Sequence, residues 1–134
     1  MRSELEQKLV ERWLDWFEIH GDPRKTAMVR GFECGDGWFA LLLALCERIE
    51  PLVQELNATL PEGERFRVEQ VKQKFGALRF HTSHRTDAMN AEISRAQQES
   101  ERTCERCGSP AVLNWETAVT LCDECLRTYG LKQA

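Results

Sequence analysis

Two Cys-x-x-Cys pairs, Cys104/Cys107 and Cys122/Cys125, stand fourteen residues apart in a chain of 134. A Cys-x-x-Cys turn separates two thiolates by about one edge of a tetrahedron, and two such turns complete a four-sulfur shell around one ion. The interval is one residue short of the range of about 15–20 usual for such modules, yet long enough for a short hairpin between the pairs. The alternatives are two disulfides or a redox dithiol. A redox dithiol comes as a single pair beside a βαβ unit, and no such unit is legible here. The spacing therefore predicts one Zn²⁺ held by Cys104, Cys107, Cys122 and Cys125. Four thiolates leave no open position, so its expected role is structural rather than catalytic. Gly108 suits the turn after the first pair. Trp115, Thr117, Val119 and Leu121 alternate as a hairpin strand would, and Cys125 to Tyr129 can start a short helix.

The zinc reading depends on a reducing compartment, where thiols stay free for metal. The opening MRSELEQ carries no apolar stretch behind a basic start, so a secretory signal is not expected. The longest apolar run, Trp38 to Cys46, has nine residues, against about 20 for a membrane span. The expectation is a cytoplasmic protein with no membrane partner, in which the glycosylation acceptor Asn57-Ala58-Thr59 has no meaning. Hydrophobic residues at 42% and charged residues at 30% are ordinary for a globular chain, and four Trp with six Phe can supply a core.

The expected fold is α+β: helices packed on a β-hairpin, followed by a zinc-ribbon or treble-clef-like module. The expected division is a helix-helix-hairpin core over 1–85, a connecting helix over 86–103 and the zinc module over 104–134. Ser3 to His20 has Leu5, Leu9, Trp13, Trp16 and Phe17 near one face, with a Ser3/Glu6 capping-box pattern. A second helix begins near Trp38 and continues through Leu56, and Pro51 predicts a kink or a fresh start within it. Arg65 to Thr82 reads as a β-hairpin with Gly76 between its strands and an uncertain register, with a bulge, around Val71 to Phe75. Thr86 to Thr103 reads as a polar helix. The candidate core is Trp13, Phe17, Trp38, Leu42, Leu45, Phe66, Val68, Leu78 and Phe80. Cys46 belongs to it as a small apolar residue.

Charge is unevenly spread. Arg65, Arg67, Lys72, Lys74, Arg79 and Arg85 with the single acid Glu69 give residues 65–85 a net charge of +5, leaving −9 on the rest of a chain that totals −4. These six cations are the candidate contact surface for phosphate or for an acidic partner. The competing reading is the wet face of an edge hairpin, where Lys and Arg discourage strand pairing. The acidic first helix, with Glu4, Glu6, Glu11, Asp15 and Glu18, is either a solvated face or a surface that competes with phosphate for a basic groove.

Other constellations carry less. Gly31 to Trp38 (GFECGDGW) lacks the Lys-Ser/Thr ending of a phosphate loop and follows no strand, so its glycines read as turns opening a helix. Cys34 with His81 and His84 would make a second metal site, but no ligand spacing demands it. His20, His81 and His84 have no nucleophile motif beside them, and no catalytic residue is expected.

The run GFECGDGW, then LLLALCERIEPL, then VEQVKQKFGALRF at Val68 to Phe80, resembles small proteins of bacteriophages and prophages in which these segments precede a pair of Cys-x-x-Cys knuckles. The resemblance spans roughly residues 31–125. It implies a mobile-element origin and brings no functional residues with it. The expected function is a non-enzymatic, zinc-stabilised binding protein that docks on a host protein or nucleoprotein complex, including a host defence system, to modulate or inhibit it. The alternative is a nucleic-acid-binding regulator that uses the basic hairpin and the zinc module.

Overall fold

Helix α1 (Ser3–Arg12) is shorter than the apolar periodicity predicted. In the computed structural model, which describes residues 1–129, the chain leaves the helix at Trp13 and turns inward. Trp13 stacks on Trp16 with ring centroids 5.4 Å apart, and Trp16 sets its edge against Phe66 at 5.3 Å. The Trp16 carbonyl also accepts the Val68 N–H at 2.9 Å. A helix continued to His20 would spend that carbonyl on its own ladder, so tertiary packing overrides local propensity here. The Ser3/Glu6 capping box does not form. Arg2 is the N-cap without a side-chain bond, and Glu6 Oε1 instead accepts the Phe32 N–H at 3.0 Å.

A 3₁₀ turn over Asp36–Trp38 leads into α2 (Phe39–Asn57). Leu41, Leu42, Leu45, Cys46, Ile49 and Val53 are its buried stripe. The helix runs unbroken through Pro51, where a kink or restart was expected. Pro51 lies on the exposed side, as does Glu47 four residues earlier. The carbonyl that proline leaves without a donor therefore faces water, which limits the cost of the missing bond. Asn57 ends the helix and its Oδ1 accepts the Phe66 N–H at 2.9 Å.

Strands β1 (Val68–Lys74) and β2 (Ala77–Thr82) form the expected antiparallel hairpin, joined by Phe75 and Gly76. Both turn residues have positive φ, 55° and 83°, the backbone that suits a two-residue turn between twisted strands. The register is regular where Val71 faces Phe80 and Gln73 faces Leu78. The irregularity falls instead at Glu69, between Val68 and Gln70. That bulge puts Val68 and Val71, three residues apart, both into the core.

Strand β1 does not present an open edge. Glu33 donates its N–H to the Val71 carbonyl (2.9 Å) and accepts from the Gln73 N–H (3.0 Å), and the Ala27 N–H reaches the Glu69 carbonyl (2.8 Å). Segment 27–33 thus covers the outer side of β1. On the other side, α3 (Asp87–Ser100) packs on β2 and α2 with Met89, Ile93, Ala96 and Ser100 buried. Thr86 caps it by accepting the Met89 N–H at 3.2 Å. Ser100 Oγ accepts the Leu78 N–H at 2.9 Å. Residues 86–103 therefore complete the core as well as lead to the cysteines. All nine residues of the candidate core are buried, joined by Leu9 from α1 and by Met28 and Phe32 from segments without a strong period.

Beyond α3, strands β3 (Val112–Asn114) and β4 (Val119–Leu121) form a second hairpin, and α4 (Asp123–Tyr129) follows. Trp115 and Thr117, read as strand residues, sit in the turn. Asn114 Oδ1 accepts the N–H groups of Glu116 and Thr117 at 2.9 and 3.1 Å. An Asx side chain that satisfies two turn donors outcompetes strand extension. The last residues of the expected 104–134 module, 130–134, lie outside the described residues. No described helix is long and apolar enough to cross a membrane.

Candidate metal centre

Cys104 to Ser109 form a tight knuckle. The Cys104 N–H donates to the Ser109 carbonyl (2.8 Å), and the Gly108 N–H returns to the Cys104 carbonyl (2.9 Å). Gly108 has φ 83°, a conformation that glycine adopts without Cβ strain. Cys122 lies immediately before α4 and Cys125 in its first turn, with the Cys125 N–H pointing at the Cys122 sulfur at 3.4 Å. The order knuckle, hairpin, helix is that of a treble clef. A zinc ribbon would take its second pair from another hairpin knuckle.

The four Sγ atoms lie within 4.8 Å of one another, and Cys107 and Cys122 are 3.6 Å apart. With metal–sulfur bonds of about 2.3 Å a tetrahedral edge is about 3.8 Å, so the quartet already has the size of a metal shell. Cys104 and Cys125 are buried, Cys122 is half-buried and Cys107 is exposed. Hydrogen bonds from the Ser109 side chain and backbone hold the Cys107 thiol down to about 6. Burial, then the neighbouring cysteines, pushes Cys125 up. Four thiolates this close repel one another, and a divalent soft cation is the species that removes the conflict. The donor set therefore fits a metal ion and leaves no ligand position open.

The knuckle is seated by the glycine run. A Cβ on Gly37 would stand 2.1 Å from the Cys104 carbonyl oxygen and 2.6 Å from Gly108 N, and one on Gly35 would stand 2.3 Å from the Glu105 carbonyl oxygen. Only glycine permits such an approach of backbone to backbone. The Gly37 N–H donates to the Glu105 carbonyl (2.7 Å), the Gly35 N–H to Glu105 Oε2 (2.9 Å) and Trp38 Nε1–H to the Thr103 carbonyl (2.8 Å). Burial raises the Glu105 carboxyl above its usual range. On the opposite side, Thr120 Oγ1–H donates to the Gly76 carbonyl at 2.7 Å, and Gly76 lies against Leu113. The cysteine module is thus held by its knuckle against the α2 entry and by its hairpin against the tip of the first hairpin. The glycines expected to open a helix also serve as this seat, and Glu105 joins it although no sequence pattern marks that residue. The signal for the seat was a Gly-x-Gly next to a buried tryptophan, which spacing alone does not connect to residue 105.

Cys34 and Cys46 stay outside the quartet, and burial raises both thiols, Cys34 to about 12. Among the described residues no other group of three or more candidate ligands converges, so Cys34, His81 and His84 form no second site. His84 Nδ1 pairs with Ser83 Oγ at 2.8 Å.

The six cations separate. Lys72 and Arg79 face each other across the hairpin, on the side away from the core. Together with Arg85 and Lys74 they act on His81, whose pKa is lowered first by partial burial and then by these charges. Arg85 also donates to Asn90 Oδ1 at 2.7 Å. Arg67 pairs with Glu69 at 3.8 Å. Arg65 lines clefts with Asp15, Glu18, Glu50 and Glu62. The cationic face thus comprises Lys72, Lys74, Arg79 and Arg85. Segment 27–33 bonds the outer side of β1, so Lys72 does not flank an open strand edge.

Comparison with protein-family models, with curated proteins and with solved structures finds no match to this chain.

Proposed function

We propose that the chain is a non-enzymatic binding protein of mobile-element type whose quartet holds one structural zinc ion, and that it docks on a host protein or protein complex and modulates it. The observation that carries this reading is a set of large apolar side chains left exposed on the two hairpins. Val112 and Trp115 on the second hairpin are 80% and 78% exposed, and Phe75 at the tip of the first is 61% exposed. Gly76, next to Phe75, packs against Ala118, so the tip that carries Phe75 meets the turn that carries Trp115. Phe75 holds φ 55°, which costs a non-glycine residue about 1–2 kcal/mol. Exposed aromatics on rigid turns are the side chains that anchor protein interfaces.

One observation favours the nucleic-acid reading as a second possibility: Lys74 lies 5.7 Å from the Phe75 ring, and aromatic platforms fringed by cations are how single strands are held. Capture of the tagged, zinc-loaded chain from a bacterial lysate, with and without nuclease, separates the two. A partner protein that survives nuclease and is lost on Phe75→Ser/Trp115→Ser supports docking on protein. Release by nuclease overturns it, as does steeply salt-dependent binding of labelled single strands that charge reversal of Lys72, Lys74 and Arg79 abolishes.

A further inference from the structure

Away from the zinc module, the early end of α1 leaves a groove of about 700 Å³ between its outer face and segment 17–21. Val10 and Phe17 form its buried floor, and Leu14, 66% exposed, stands at its wall. An apolar groove with an unburied leucine is unusual on a lone chain unless something covers it. Its rim is acidic. Glu11 and Glu18 line it; among the described residues neither is in an ion pair, and one Glu11 oxygen accepts from Gln7 Nε2 at 2.8 Å. Glu6 also lines it, but one oxygen already holds the Phe32 N–H.

We infer that this groove is a second docking surface, and that its occupant is a basic amphipathic helix of a partner protein. Two features select that occupant. The apolar floor calls for side chains recurring at i, i+3/i+4 and i+7, the pattern by which helices lie in grooves. The carboxylates of Glu11 and Glu18, which have no cation beside them in an ion pair, call for Lys or Arg flanking those anchors, and they repel an acidic segment or a nucleic-acid backbone. Helix α1, ten residues long, spans about 15 Å, which matches two to three turns of a bound helix. The acidic surface is therefore more than a solvated face: it frames an apolar slot.

The test uses the full zinc-loaded chain and a fluorescein-labelled leucine/lysine peptide of about 18 residues with one apolar helical face. The expected anisotropy result is saturable binding that weakens with salt. Leu14→Asp should abolish it, and Glu11→Lys/Glu18→Lys should weaken it about tenfold or more. Leu14 is exposed, so its variant should keep the wild-type melting curve, and Leu14→Gln provides a second, uncharged check. Absence of saturable binding overturns the inference. So does equal binding by Leu14→Asp, or equal binding of a lysine/glycine peptide, which would reduce the effect to bulk charge. Failure here, with nuclease-resistant capture still dependent on Phe75 and Trp115, removes the groove and leaves the proposed function standing.

Discussion

Gly37→Ala should weaken metal binding although residue 37 touches no sulfur. The added Cβ would meet the Cys104 carbonyl oxygen at 2.1 Å and Gly108 N at 2.6 Å. Both are backbone atoms, so no rotamer change relieves the clash and the knuckle must move away. Overpacking of this kind costs about 1–3 kcal/mol. The displacement also threatens three hydrogen bonds, from Gly37 N–H, Gly35 N–H and Trp38 Nε1–H to Glu105 and Thr103. Losing one or two at about 1 kcal/mol each brings the total near 3 kcal/mol. The linkage of metal binding to folding predicts that the module unfolds without metal, where the alanine would meet nothing. The whole cost therefore falls on the metal-loaded state. Zinc affinity, read by competition with a chromophoric chelator, should drop about a hundredfold. The zinc-loaded melting temperature should fall by roughly 10 °C, and the chelated protein should be almost unaffected. Unchanged zinc affinity would refute the seat, and so would an equal loss of stability with and without chelator.

Other perturbations probe neighbouring parts of the argument. Cys122→Ser should release the ion and unfold the module, seen as loss of bound zinc by atomic absorption and a new low-temperature transition; retention of a full equivalent would break the four-cysteine assignment. Trp38→Ala should destabilise by about 3–5 kcal/mol in urea, because the ring is fully buried and its indole N–H bonds Thr103. His81 should titrate below 6.5 by NMR, and Lys72→Gln should raise its pKa by removing a nearby cation. With the folded pKa lowered, the unfolded chain binds the proton better, so stability should decline as pH falls below about 6.5; His81→Asn should flatten that slope.

Much of the fold is written in local pattern. The leucine stripe of α2 and the alternation around Gly76 each state a relation between residues a few positions apart, and the packing around them leaves both intact. The same reasoning failed at α1, where Trp13, Trp16 and Phe17 satisfy a helical period yet are drawn into the hairpin and its neighbours. It failed again at Trp115, where Asn114 captured the turn. The basic segment shows the other gap: six cations adjacent in sequence become four on one face, one paired with Glu69 and one among acids.

The sequence by itself marked the cysteine quartet, because two Cys-x-x-Cys turns with room for a hairpin between them can close one four-sulfur shell. It also determined the hairpin tip, because Gly76 supplies a backbone that few residues adopt. Tertiary structure alone decided where the quartet sits. Gly35 and Glu105 are 70 positions apart, and their contact depends on the absence of a side chain, which leaves no periodic trace. It likewise decided that the acidic helix borders a groove, since that groove exists only because the chain turns inward at Trp13 to give its rings to the core.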